Sequence, residues 1–146
     1  MIPFAVAFAA PVLPALETAA TVLVVEDEPH VCELAAEALL DEGYRVITAA
    51  DAWEAEAILA RESVDLLFTD IDLARNTNGL VLAQHARAQC PGLPVVYTSG
   101  GRAGLSQRET VPESVFVPKP YRPSQLVALT NDLLRGAPSD HACHHA

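Results

Sequence analysis

The sequence predicts an α/β fold, a doubly wound five-stranded parallel sheet with helices on both faces. Short β-branched runs alternate with amphipathic helical segments five times between residues 21 and 135. Alternation of this kind is typical of parallel strands joined by right-handed crossovers. The chain has 146 residues, of which 51% are hydrophobic, which suits one domain with a single core.

The first two strand–helix units carry the clearest signals. Residues 21–25, TVLVV, form the continuous apolar run expected of a strand buried on both faces. Pro29 suits the first turn of the helix that follows, and Gly43 stands where a left-handed C-cap belongs. A second strand is predicted at residues 45–48, and Asp51 is the predicted N-cap of the next helix.

Three further units complete the pattern. Strands are predicted at residues 65–69, 94–98 and 114–117. A helix follows a loop rich in Asn and Gly after the third strand, and the last helix starts at Pro123 and ends before Gly136. The segment 102–110 holds few apolar residues, so we expect a short or mobile helix there.

Both ends of the chain differ from this pattern. Residues 1–20 are apolar and rich in Pro, but no Lys or Arg precedes Arg45, which argues against a signal peptide. We expect a non-core extension, with a partner-binding or self-associating segment as the alternative. The domain then covers residues 21–135, and residues 136–146 form a polar, His-containing tail that we expect to be disordered.

Composition limits the classes of function. The net charge of -10 argues against a protein that binds the phosphate backbone of nucleic acids, but it is compatible with a divalent-cation site. Cys32, Cys90 and Cys143 are widely spaced and form neither a disulfide framework nor a zinc motif. We therefore predict a reducing, cytoplasmic location, with Cys32 and Cys90 as small buried side chains.

Polar residues follow four of the five predicted strands. The carboxyl ends of parallel strands share one edge of the sheet, which is where ligands bind in such folds. Six residues fall at or just beyond these ends: Glu26, Asp27, Asp70, Asp72, Ser99 and Lys119.

These residue types match the chemistry of phosphoryl transfer. Clustered carboxylates repel one another unless a cation intervenes, and they are the ligands that Mg²⁺ prefers. A carboxylate can attack phosphorus and form an acyl phosphate, while a metal ion and Lys119 neutralise the transferring group. Each residue has a plain structural interpretation too: Asp27 as a helix N-cap, Ser99 as a turn residue, Lys119 as a surface lysine. Their joint placement at the strand ends favours a phosphoryl-transfer site over these separate structural roles.

Four segments of the chain resemble the signature segments of response-regulator receiver domains. They are VLVVEDEP, LLFTDIDL, PVVYTSG and VFVPKPY, in this order, and the resemblance covers residues 21–135. It implies the flavodoxin-like fold of CheY-like proteins.

The resemblance also implies a role for each site residue. Asp70 is the expected phosphoacceptor, and Lys119, followed by a cis bond to Pro120, is the expected phosphate contact. Ser99 and Phe116 are the expected switch residues. The expected Mg²⁺ ligands are the side chains of Asp27 and Asp70, Glu26 in an assisting role, and the backbone carbonyl of Asp72.

The implied function is a Mg²⁺-dependent phosphorylation switch rather than an enzyme. A sensor histidine kinase or a phosphotransfer protein is the expected donor, and an unknown downstream protein reads the switch. We expect neither direct DNA binding nor membrane contact. The chain could form a homodimer. Ala74 stands where many receivers have Pro, and the loop up to Asn78 is longer than the common form.

Three alternatives remain on the sequence alone. A receiver-like docking module would work without phosphorylation. Asp70 and Asp72 also form a DxD pair like that of haloacid-dehalogenase-type phosphohydrolases, which use an aspartyl nucleophile with Mg²⁺. In the tail, His141, Cys143, His144 and His145 could bind a transition metal.

Overall fold

Five parallel strands form a single sheet in the order β2-β1-β3-β4-β5. The computed structural model describes residues 19–101 and 109–135. The strands are β1 Thr21–Val25, β2 Arg45–Ala49, β3 Leu66–Asp70, β4 Val95–Ser99 and β5 Val115–Pro118. The predicted fold class is thus confirmed. The predictions for residues 1–18, 102–108 and 136–146, Cys143 included, concern parts of the chain outside the described residues.

Helices cover both faces of the sheet. Within the described ranges they are α1 Pro29–Asp41, α2 Ala52–Arg61, α3 Gly79–Gln89 and α4 Pro123–Arg135. One core lies under α2 and α3, and a second core lies under α1 and α4. The helices therefore pack on the sheet in two pairs, as a doubly wound fold requires.

Strand residues divide between the two cores by their position. Leu67 and Tyr97 point to the α2/α3 face, whereas Phe68 and Val96 point to the α1/α4 face. Successive side chains of a strand point to opposite faces. Asp70 and Thr98, each two residues beyond Phe68 and Val96 respectively, therefore face α1 and α4.

Local signals fix where the helices begin and end. Asp51 caps α2 by accepting a hydrogen bond from the Glu54 amide at 2.8 Å, and Gly43 has a φ of 104° after α1. Both predictions are confirmed. Glu28, not Asp27, caps α1, accepting from the His30 amide at 3.2 Å. The interpretation of Asp27 as a helix cap is therefore wrong.

The cysteines are unbridged in the described part of the chain. Cys90 is buried, as predicted, whereas Cys32, which was also predicted to be buried, is only half-buried against the α1/α4 core. Across residues 19–101 and 109–135, no helix has the length and apolar character that a membrane span needs.

Candidate functional site

The carboxyl edge of the sheet brings the predicted residues together. Asp70 and Ser99 are the last residues of β3 and β4, Glu26 follows β1 directly, and Lys119 follows β5 directly. The register supports this arrangement, because Asp70 pairs with Thr98 and Ser99 pairs with Pro118. The backbone amide of Lys119 also donates to the carbonyl of Ser99 at 3.0 Å, which ties the ends of β4 and β5.

Lys119 bridges two acidic residues. Its Nζ lies 2.9 Å from Asp70 Oδ2, to which it donates a hydrogen bond, and 2.8 Å from Glu26 Oε1. The contact with Glu26 lacks the angle of a hydrogen bond. The side chains of Glu26 and Asp70 are only 2% and 8% exposed, and that of Lys119 is 23% exposed. The interpretation of Lys119 as a solvated surface lysine is therefore wrong, and its peptide bond to Pro120 is cis, as predicted.

The surroundings shift the pKa values of Lys119 and Glu26. Burial alone would lower the pKa of Lys119, but its contacts with Glu26 and Asp70 outweigh burial and raise that pKa above its ordinary value. Lys119 is thus a fixed positive charge. Burial raises the pKa of Glu26, and the Asp70 carboxylate adds to this effect against the opposing contacts with Lys119 and the Glu28 amide. One ammonium does not fully compensate the negative charge of the site.

Three carboxylates could hold a cation. Glu26, Asp27 and Asp70 each offer an oxygen, and the three oxygens lie within 4.8 Å of one another. With all three ionised, three negative charges face the single charge of Lys119, which leaves a formal charge of -2. A divalent cation would neutralise this excess, and hard oxygen ligands suit Mg²⁺. The donor set therefore fits the expected metal.

Asp72 lies outside this carboxylate cluster. It is two residues beyond β3 and pairs with Asn78 through an isolated antiparallel bridge. Its expected contribution is a backbone carbonyl, which stays a prediction.

Ser99 and Phe116, which the resemblance names as switch residues, lie on β4 and β5. Ser99 is 2% exposed, and its Oγ accepts a hydrogen bond from the Gly101 amide at 3.2 Å. The turn contact predicted as the plain interpretation of Ser99 is thus present. Phe116 is partly buried against the α2/α3 core and pairs in register with Tyr97 on β4. Their roles in a switch stay predictions.

Gly79 is a site residue whose role the sequence reasoning missed. Its amide donates to the Ile71 carbonyl at 2.8 Å, and a Cβ at this position would lie 2.0 Å from the backbone oxygen of Asp70. The start of α3 thus packs on the backbone of Asp70 so closely that only glycine fits. The sequence signal for this close approach is a Gly at the first position of α3, and it was interpreted as an ordinary loop residue.

The long loop between β3 and α3 closes on α2. Arg75 and Asn76 adopt left-handed conformations with φ of 61° and 56°, and Arg75 forms an ion pair with Asp51 at 3.1 Å. Thr77 Oγ1 donates to the Ala74 carbonyl at 2.7 Å and accepts from the Ala52 amide at 3.2 Å. These contacts join the loop that contains Ala74 to the start of α2.

The family comparison matches most of the chain. Residues 22–131 match the model of the response regulator receiver domain. The chain is 35% identical to the alginate biosynthesis transcriptional regulatory protein AlgB of Pseudomonas aeruginosa, over 72% of this chain and 24% of AlgB. It is 32% identical to the probable transcriptional regulatory protein TcrX of Mycobacterium tuberculosis, over 79% of this chain and 50% of TcrX. The chain thus spans between a quarter and half of these relatives.

Solved structures show the same architecture. A CheY-like receiver domain protein from Methanospirillum hungatei superposes with a TM-score of 0.73 at 26% identity, covering 82% of this chain and 96% of that one. The receiver domain of NtrX from Brucella abortus gives a TM-score of 0.68 at 34% identity, covering 80% and 99%.

The comparisons correct one prediction. We expected partners without direct DNA binding, but AlgB and TcrX are named transcriptional regulatory proteins. The prediction rested on the net charge of -10 and the length of this chain. Both describe one domain, and they carry no information about the output of relatives of which this chain covers only 24% and 50%.

Proposed function

This chain belongs to the response-regulator receiver domain family, and from that membership we propose that it is a phosphorylation switch with Asp70 as its phosphoacceptor. The observation that carries the proposal is the position of Asp70. Its carboxylate ends β3 at the sheet edge, is 8% exposed and lies 2.9 Å from a lysine ammonium. A carboxylate held beside a fixed cation is suited to attack phosphorus.

In the proposed reaction, an oxygen of Asp70 forms a bond to phosphorus while the bond between phosphorus and the nitrogen of a donor phosphohistidine breaks. A sensor histidine kinase or a phosphotransfer protein is the proposed donor. Lys119 then contacts the phosphoryl oxygens and compensates their charge. The product is an acyl phosphate on Asp70. The chain acts as an acceptor and switch in this scheme, not as an enzyme with turnover.

Mg²⁺ is the proposed cofactor. Asp27 and Asp70 would bind it through their side chains, Glu26 would assist, and Asp72 would add its backbone carbonyl. When bound, the ion supplies positive charge against the carboxylates and the incoming phosphoryl oxygens. The oxygens of Glu26, Asp27 and Asp70 within 4.8 Å of one another support this assignment.

Ser99 and Phe116 are the proposed moving parts. The hydroxyl of Ser99 would exchange its contact with the Gly101 amide, 3.2 Å long, for a phosphoryl oxygen. Phe116, partly buried beside the α2/α3 core, would follow into the vacated space. The surface around β4 and β5 would then change, which is how local charge biases a two-state element.

Intact-mass spectrometry tests the proposal directly. The chain is incubated with acetyl phosphate and Mg²⁺ under conditions that preserve acyl phosphates. We expect a Mg²⁺-dependent gain of about 80 Da, the mass of one phosphoryl group. Asp70→Asn should lose this gain. Asp72→Asn is the matched control and should keep it, because the proposed contribution of Asp72 is its backbone carbonyl.

Other outcomes would point elsewhere. If the wild type gains no mass with acetyl phosphate or with a histidine kinase, the switch is refuted in favour of the phosphorylation-independent docking module. Repeated turnover of a phosphate monoester would favour the phosphohydrolase instead.

A further inference from the structure

Thr98 is a buried polar residue that the proposed reaction leaves without a role. It is 1% exposed, and its Oγ1 has no hydrogen-bond partner among the described residues. A buried hydroxyl without a partner destabilises a fold, and such groups are rare in native proteins. A hydrogen bond that the Thr98 hydroxyl forms in another state of the protein would account for its presence.

The sheet register places Thr98 beside the phosphoacceptor. Thr98 pairs with Asp70 on β3 and with Val117 on β5. It alternates with Val96, and Asp70 alternates with Phe68, and both of these apolar residues lie in the α1/α4 core. Because alternate residues of a strand share a face, Thr98 and Asp70 point to the same side of the sheet at the same level.

The side chain of Lys119 crosses β4 at this level. Lys119 follows β5, yet its Nζ reaches Asp70 on β3, with β4 between them. Neighbouring strands lie about 4.8 Å apart, so the lysine spans a separation of roughly 10 Å. A Cβ on Gly100 would lie 3.8 Å from the Cβ of Lys119. The side chain of Lys119 therefore passes β4 on the side where Gly100 lies, and by the alternation of side chains along the chain Thr98 faces the same side.

We propose that Thr98 is a positioning residue whose hydroxyl accepts a hydrogen bond from the Lys119 ammonium once the phosphoryl group has reached Asp70. The inference rests on the proposed function. An ammonium has three donors; in the present state Asp70 accepts from one of them, and Glu26 is held as an ion pair at 2.8 Å. When the bond to phosphorus forms, the attacking oxygen of Asp70 loses its negative charge. Lys119 turns to the phosphoryl oxygens, and Thr98 Oγ1 fixes the ammonium above β4.

Thr130 offers a matched control. It is 0% exposed and its Oγ1 likewise has no hydrogen-bond partner among the described residues. It lies in α4, seven residues after the helix begins at Pro123, so about 10 Å along the helix from its first turn. Thr130→Val thus removes an equivalent hydroxyl from the α1/α4 side without touching the strand that Lys119 crosses.

The test compares Thr98→Val, Thr98→Ser and Thr130→Val with the wild type. The initial rate of phosphoryl gain from acetyl phosphate is followed by intact mass at saturating Mg²⁺, together with Tm and the Mg²⁺ affinity by calorimetry. We expect Thr98→Val to slow the gain roughly tenfold, the effect of losing one hydrogen bond to a charged group. Thr98→Ser should restore the rate to within about twofold, and Thr130→Val should match the wild type.

Tm and the Mg²⁺ affinity distinguish a specific effect of Thr98→Val from general damage to the fold, which would lower Tm. Removing an unpartnered hydroxyl should leave Tm unchanged or raise it in both Val variants, with unchanged Mg²⁺ affinity. In the Lys119→Gln background, Thr98→Val should slow the remaining reaction by less than about twofold, because the group it positions is gone.

Several outcomes would overturn the inference. They are a wild-type rate in Thr98→Val, an equal loss in Thr98→Ser, and a Thr98→Val protein that loses Tm or fails to fold. These leave the proposed function intact, since the wild type still gains phosphate. A wild type that gains no phosphate from any donor overturns both.

Discussion

At the scale of the residue, Lys119 decides the electrostatics of the site. It is the cation in contact with both Glu26 and Asp70, whose side chains are 2% and 8% exposed. We expect Lys119→Gln to destabilise the fold by about 3 kcal/mol in a chelator, because two buried carboxylates then lack their partner. Mg²⁺ should recover part of this loss. Urea unfolding with and without Mg²⁺ measures both effects.

The control is an ion pair at the surface. Arg135 lies 3.7 Å from Glu42, and its side chain is 60% exposed. Arg135→Gln should cost less than about 1 kcal/mol, since exposed pairs contribute little. Equal losses in the two variants would show that burial of the Lys119 contacts has no energetic consequence.

Tyr121 gives the molecule a pH dependence on the alkaline side. Burial, aided by the Glu26 carboxylate, raises the pKa of Tyr121 to about 12. The unfolded chain loses this proton first, near the ordinary value of about 10. The stability that the neutral phenol contributes is therefore present below pH 10 and is lost between about pH 10 and 12. Urea unfolding at pH 9 and 11.5 should show a smaller loss in Tyr121→Phe than in the wild type, and equal losses would contradict the assignment.

Gly79 shows how one missing Cβ sets the position of Asp70, the proposed phosphoacceptor. A Cβ there would lie 2.0 Å from the Asp70 backbone oxygen and 2.9 Å from Thr69 Oγ1, so β3 and α3 must separate in Gly79→Ala. We expect a loss of about 2 kcal/mol in stability and a slower gain of phosphoryl mass. Gly101→Ala is the control near the site, because a Cβ at that position would meet no described atom within 4 Å. A Gly79→Ala protein as stable as Gly101→Ala would refute the close approach.

At the scale of the element, Arg87 ties α3 to the segment that leads into β5. Its Nε donates to the Leu93 carbonyl at 2.6 Å, and its Nη1 donates to the Pro112 carbonyl at 2.7 Å. A lysine cannot reproduce this fork. Arg87→Lys should therefore cost about 1–2 kcal/mol and should speed amide hydrogen exchange at Val111. Arg61→Lys is the control, since Arg61 is 63% exposed, and an equal effect in both variants would contradict a specific clamp.

The elements also show what a sequence can and cannot predict. The strands were predicted to within about one residue, because each is a short run dominated by apolar residues. The third strand was predicted at residues 65–69 and is Leu66–Asp70, so the proposed acceptor is its last residue. The contacts of Arg87 with Pro112 and of the Val111 amide with the Tyr97 hydroxyl join residues 25 and 14 positions apart. No local pattern encodes such pairs, so only the fold reveals them.

At the scale of the whole molecule, the site is assembled only by folding. Glu26 and Asp27 follow β1, and Asp70 ends β3, more than 40 residues later in the sequence. In the unfolded chain these carboxylates are far apart and bind a cation weakly. Binding to the folded state alone stabilises it by linkage. The net charge of -10 adds a general effect, because any salt screens the repulsion among surface carboxylates.

These two effects predict different responses to salt. At Mg²⁺ one hundred times its Kd, we expect the wild type to gain about 2.7 kcal/mol in free energy of unfolding beyond its gain in NaCl of equal ionic strength. Asp27→Asn removes the exposed carboxylate of the cluster without burying an uncompensated charge. In this variant, the free energy of unfolding should rise no more with Mg²⁺ than with NaCl of equal ionic strength. If the mutant kept the full Mg²⁺ gain, the ion would be stabilising the fold through carboxylates other than this cluster, and the charge excess beside Lys119 would need another explanation.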